Sequence, residues 1–179
     1  MRNFSLLCMA CFLAPCFALE PLKLEDGDRV VFLGNTLIER EQLYGWWELY
    51  LTRSFPGKKV TFRNLGWSGD TVFGHARAGF GPVAEGYKHL IDHTLALKPT
   101  VIFIAYGTNE SGEGPGGLPS FVKGLNKLLD QVEKTKARII LLSPVQQADM
   151  GRPLPNPSRA NANLRLYADA IRDVAKKRN

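Results

Sequence analysis

The sequence predicts an α/β fold: a parallel sheet covered by helices on both faces. Three observations carry that prediction. From residue 29 onward, short β-type apolar runs alternate with segments of helical periodicity, which is the pattern of β-α-β units. The run 101–105 is apolar at every position, as a strand buried on both faces must be. Segments rich in Gly, Asn, Ser and Thr follow the first three strand-like runs, where open parallel sheets build their sites.

The elements follow in order. Arg29 to Leu33 is a short buried strand running into Gly34. Leu43, Trp47, Tyr50 and Leu51 then recur at helical spacing, and Phe55-Pro56-Gly57 ends that helix. Lys59 to Arg63 alternates apolar Val60 and Phe62 with polar neighbours and is the second strand. A glycine-rich loop spans 66–81. Tyr87, Leu90, Ile91 and Leu95 mark a helix over 85–97 that stops before Pro99. Val101 to Ala105 is the third strand, and a second glycine-rich loop covers 107–117. The next helix carries Leu118, Phe121, Val122, Leu125, Leu128, Leu129 and Val132 on one face. Arg138 to Leu142 is the fourth strand. A proline-rich loop, too short for a domain linker, reaches Ser158, the expected N-cap of a final helix. That helix has Ala160, Leu164, Tyr167, Ala168, Ile171, Val174 and Ala175 along one stripe. The loops 34–40, 66–81 and 107–117 are expected to converge. With no strand after the final helix, the run 138–142 is expected to be an exposed edge, so the sheet lacks its last strand or borrows an edge from a partner.

Length and composition bound the function. The 179 residues suit one domain with a sizeable core. The net charge of +6 comes from scattered basic residues. The cluster Lys176-Lys177-Arg178 closes a helix, where cations suit the dipole, so the excess belongs to solvated surface and not to a nucleic-acid interface. Arg2 followed by the apolar stretch Phe4 to Phe17 and small residues near Ala18 has the form of a secretory signal peptide. Cleavage is expected after Ala18, leaving a single domain over 19–179, exported to the periplasm or the exterior. The rival reading, a membrane anchor, is disfavoured because the stretch is shorter than the roughly 20 residues a spanning helix needs. All three cysteines, Cys8, Cys11 and Cys16, lie in this leader, so the mature chain has no disulfide, no thiol nucleophile and no thiolate metal site.

Three motifs stand after the first three strands: Gly34-Asn35-Thr36, then Gly66-Trp67-Ser68-Gly69-Asp70, then Gly107-Thr108-Asn109-Glu110. In order and placement they resemble the SGNH/GDSL hydrolase family, over about residues 29–178. The resemblance implies a three-layer α/β/α, flavodoxin-like sheet and ester hydrolysis of a small-molecule or carbohydrate substrate, such as deacetylation of carbohydrate or cell-wall material, with no cofactor or metal. It places the nucleophile on Thr36 and the oxyanion-hole donors on the Gly69 backbone and the Asn109 amide. Such donors stabilise the charge of a tetrahedral intermediate by about 3–4 kcal/mol each. Gly69 is expected to be glycine so that the backbone can approach closely. Asn35, Trp67, Asp70 and Arg77 are the expected substrate-side residues.

Two departures from the family pattern weigh against full activity. Threonine replaces serine, and its methyl stiffens χ1 and crowds the line of attack; Thr36 is either a nucleophile or a donor and packing residue. The family's Asp-x-x-His base is missing, because His75, His89 and His93 all precede residue 100. His89 and His93 are an i, i+4 pair expected on a helix surface, with no third metal ligand evident. Aromatic faces at Trp67, Phe73 and Phe80 stack on a sugar or lie under the loop, and Arg77 grips an anion or is buried; both readings stand. Asp70 is also expected to order its loop, and Glu39, Arg40 and Glu110 lie near the site without a forced role. The alternative function is a catalytically degenerate fold that binds carbohydrate or acts as a scaffold. A nucleotide-binding reading is set aside, since the first turn has Gly34 alone where a dinucleotide fingerprint needs three glycines.

Overall fold

The computed structural model describes residues 21–178; the expected signal peptide lies outside them. Four strands form one parallel sheet in the order β2-β1-β3-β4: β1 Arg29–Gly34, β2 Thr61–Gly66, β3 Val101–Ala105 and β4 Arg138–Leu141. Among the described residues five α-helices accompany them: α1 Thr36–Tyr44, α2 Trp46–Ser54, α3 Val83–Ala96, α4 Gly114–Val132 and α5 Ser158–Arg178.

Alternation along the strands divides the core in two. Val30, Phe32, Val101 and Phe103 face α1 and α2, where they pack with Ile38 and Leu51. Leu33, Ile102 and Ile104 face the other way, onto Leu90 of α3, Phe121, Leu125 and Leu128 of α4, and Tyr167 and Ile171 of α5. Both faces of β1 and β3 are therefore covered, as the expected α/β/α layering requires.

Several expected boundaries move. The helix expected through 43–55 is two helices, broken where Gly45 takes φ +66. The break splits the apolar stripe: Leu51 is buried, while Leu43 and Tyr50 stand 66% and 70% exposed. The loop 34–40 is mostly helix, because the Asn35 side chain caps α1 and Ile38 anchors it in the core. The loop 107–117 becomes a 3₁₀ turn over Glu110–Glu113 followed directly by α4, with Pro115 in the first turn, where a missing N–H costs nothing. β2 starts two residues late, since its register with β1 pairs Arg29 with Thr61 and Gly34 with Gly66. Ser158 is the first helical residue and not the cap; the Asn156 Oδ1 accepts its N–H at 2.9 Å. β4 pairs with β3 alone and is a sheet edge among the described residues.

Candidate active site

Parallel pairing brings the ends of three strands level. Gly34 sits between Gly66 and Ala105 in the register, and from there the three motifs leave the sheet together. Gly34 has no room for a side chain, as a Cβ would lie 2.6 Å from the Ala105 carbonyl oxygen and 2.7 Å from Ile38 Cγ1. The Trp67 N–H then donates to the Gly34 carbonyl at 3.0 Å, which fastens the second motif over the first.

Thr36 opens α1 and is half-buried. Its Oγ1 accepts the Gly69 N–H at 3.1 Å and lies 3.2 Å from Ser68 Oγ. The hydroxyl thus faces a backbone donor and the positive end of a helix, both of which favour negative charge on an oxygen there. Gly69 takes φ +74, the left-handed region that favours glycine, and a Cβ there would meet no atom of the chain within 4 Å.

Behind this surface lies a buried polar core. Asp70 Oδ2 accepts from Arg77 Nε at 2.6 Å and from the Tyr106 hydroxyl at 2.9 Å. A terminal nitrogen of Arg77 donates to the Leu65 carbonyl at 2.5 Å. Burial first, and the Asp70 charge next, push the Tyr106 hydroxyl well above the usual phenol range, so it stays a proton donor. Asn109 donates from Nδ2 to the Asp70 carbonyl at 2.7 Å, which ties the third motif to the second. Glu110 accepts the Val72 N–H through Oε1 and the Gly107 N–H through Oε2, both at 2.9 Å. Burial raises its pKa above the ordinary carboxylate value, against the pull of those backbone donors.

These positions sort the expected residues. Thr36 and Gly69 come together, and Asn109 is tied to them through the Asp70 backbone. Three of the four expected substrate-side residues are buried. Asp70 is fully buried and Arg77 is 7% exposed, because each charge is spent on the other. Asn35 is buried as the cap of α1, with Oδ1 accepting the Leu37 N–H and Nδ2 left without a partner. Trp67 alone of the four is open, half exposed, with the Arg77 guanidinium 5.7 Å from its ring centre. Beside it is a cleft of about 410 Å³, lined among others by Glu39, Gln42, Asn64, Trp67, Ser68 and Arg77. His75 bonds Thr71 Oγ1 through Nδ1 at 3.0 Å and stacks on Phe73. His89 and His93 stack on each other on the exposed face of α3, and His93 also lines that cleft. Among the described residues, no three His, Cys, Asp or Glu side chains are grouped to hold a metal.

Sequence reasoning missed Ser68 and Tyr106. Ser68 stands beside Gly69 in the motif, but nothing in the spacing says that it meets a hydroxyl 32 positions earlier. Tyr106 looks like an apolar continuation of β3, and its role depends on Asp70, 36 residues away.

The ends of three parallel strands thus bring a hydroxyl, a backbone N–H and a tethered asparagine to one pole of the sheet. The model of the GDSL-like lipase/acylhydrolase family matches residues 32–179, and the chain belongs to that family. Solved structures agree on the fold. A variant of Axe2, an acetyl xylan esterase from Geobacillus stearothermophilus, superposes with TM-score 0.65 at 15% identity, over 87% of this chain and 75% of that one. A GDSL-like lipase from Bacteroides thetaiotaomicron gives 0.55 at 20% identity, over 84% and 65%. A gut microbial diltiazem-metabolizing enzyme, BT4096, gives 0.60 at 20% identity over 87% of this chain, which spans 36% of that protein's length. No curated protein sequence matches. Among the described residues, no helix is long and apolar enough to cross a membrane.

Proposed function

We propose that this chain is an exported ester hydrolase acting on small acyl esters, with acetylated carbohydrate as the favoured class. The observation that carries the reading is the 3.1 Å hydrogen bond from the Gly69 N–H to Thr36 Oγ1, which puts the candidate nucleophile against the candidate oxyanion donor. Export rests on the leader-like residues 1–18. The carbohydrate class is supported by the open Trp67 ring beside a polar cleft and by the acetyl xylan esterase among the structural neighbours.

In the proposed step Thr36 Oγ1 bonds to the ester carbonyl carbon, and the carbonyl oxygen takes the negative charge beside the Gly69 N–H. Ser68 Oγ, 3.2 Å away, orients the Thr36 hydroxyl, whose proton passes to solvent water. Collapse of the intermediate breaks the ester C–O bond and releases the alcohol, protonated by solvent, and a water molecule then hydrolyses the Thr36 acyl ester to the free acid.

A second reading, a binding module on a degenerate catalytic frame, is favoured by one observation. None of the three histidines hydrogen-bonds Thr36 or Ser68, and a hydroxyl without a base is a poor nucleophile at neutral pH. Hydrolysis of p-nitrophenyl acetate separates the two. The hydrolase reading expects turnover above the blank, lost in Thr36→Ala and raised in Thr36→Ser, where the crowding methyl is gone. Wild type and Thr36→Ala both at the blank, with activity appearing in Thr36→Ser, would leave threonine as a relic and the binding reading standing.

A further inference from the structure

The pole of the sheet opposite the candidate site holds a second cleft, of about 430 Å³, between the start of β1, the end of α3 and the turn after α4. Its lining includes four basic side chains, Arg29, Lys98, Lys134 and Lys136, and no acidic one. All four are exposed, and none forms an ion pair with a described residue.

We propose that this cleft binds a compact multivalent anion of the phosphoryl class, a diphosphate or triphosphate group.

Charge alone does not carry the proposal, because cations gather at helix C-termini to meet the dipole. Here α3 and α4 both end at the cleft, and together their C-termini amount to about −1 charge. Four cations exceed that several-fold, so the cleft stays strongly positive after both helix ends are met. Arg29 spends Nε on the Lys98 carbonyl, and Lys134 reaches Gln131. The acids nearby are already engaged. Asp28 is held by Thr100 and Arg138, and Glu133 by Arg178.

The backbone adds an independent observation. Lys98 and Lys136 have φ of +46 and +59, and they are the non-glycine residues with positive φ among the described ones. This is the conformation in which helices commonly end on glycine, at a cost to any residue carrying a Cβ. The chain accepts that cost twice, both times with lysine and both times in this cleft. Dipole compensation does not require it, since a lysine one turn earlier serves the dipole equally well. A recess of this size fits a compact anion better than a flat polymer track, and about three negative charges match what remains of the four cations.

Isothermal titration of the full chain with sodium tripolyphosphate, pyrophosphate and citrate tests the assignment. Lys98→Gly/Lys136→Gly is the informative variant, because glycine suits both backbone positions and should leave the fold intact, as circular dichroism will show. Tripolyphosphate is expected to bind wild type at one site, more weakly as salt rises, with affinity falling about tenfold per lysine removed. Citrate is expected to bind more weakly than tripolyphosphate. No binding by wild type, equal binding by the folded double variant, or a preference for citrate would each overturn the proposal. Ester hydrolysis does not enter this readout.

Discussion

Asp70 and Arg77 meet at 2.6 Å between Oδ2 and Nε, with both side chains almost wholly removed from water. The pair holds the 66–81 segment against the sheet, since Arg77 also binds the Leu65 carbonyl and Asp70 also receives Tyr106.

Removing one partner of a buried pair leaves the other charge without compensation. Arg77→Ala is therefore expected to cost about 3–5 kcal/mol, and Asp70→Asn a comparable amount. Replacing both together should cost less than the sum, because the second change removes the stranded charge. Tyr106→Phe is expected to cost about 1–2 kcal/mol through the lost hydrogen bond. Urea denaturation of the four variants checks all three statements.

Two glycines of the second motif are constrained for different reasons, and alanine at each separates them. A Cβ on Gly66 would collide with the backbone of Ile38 and Glu39, so Gly66→Ala must push α1 off β2. Overpacking of that kind costs about 1–3 kcal/mol and should disturb Thr36 as well. Gly69 has open space around it and needs only its positive φ, so Gly69→Ala should cost about 1–2 kcal/mol of backbone strain. Thermal unfolding gives the stabilities. Amide exchange at Leu37 and Ile38 should quicken in Gly66→Ala and stay near wild type in Gly69→Ala.

What the sequence made legible follows from how local each signal is. The run Val101–Ala105 came out to the residue because a strand buried on both faces is apolar at every position. The α4 face was equally plain, with Phe121, Leu125, Leu128 and Leu129 buried as their spacing required. Gly45 hid the break between α1 and α2, because the apolar spacing runs straight across it. For Asn35, Asp70 and Arg77 the sequence leaves the substrate-side and structural readings together, because polar residues beside a glycine-rich motif read the same whether they face a ligand or one another. Only the tertiary contacts, Arg77 onto Asp70 and Asn109 onto the Asp70 carbonyl, distinguish the two.

Acid should weaken the fold through Asp28. Burial alone would raise its pKa, but hydrogen bonds from Thr100, the Glu25 backbone and Arg138, with the charge of Arg138, outweigh it and hold the value below 3.8. The native state thus binds this proton less readily than the unfolded chain. The stabilisation is complete above the unfolded value and is lost as pH falls through the native one. Asp28→Asn should be less stable than wild type at pH 6, and the gap should close as pH drops below about 4. Denaturant midpoints measured from pH 6 to pH 2 give the difference curve.

Glu110 has the opposite sign. Burial raises its pKa and the Asp70 charge adds to that, while the N–H groups of Val72 and Gly107 hold part of it back. The native state therefore binds this proton more readily than the unfolded chain. Its contribution falls as pH rises from the unfolded value, about 4.3, through the higher native one. Glu110→Gln cannot ionise and should lack that decline. The amide nevertheless turns an –NH₂ toward one of two backbone donors, so the variant should be about 1–3 kcal/mol less stable where wild type is ionised. The wild-type advantage should change only above pH 4.3, while that over Asp28→Asn changes only below about 4. A pair of difference curves that moved in the same window would mean that burial does not outweigh the two N–H donors at Glu110.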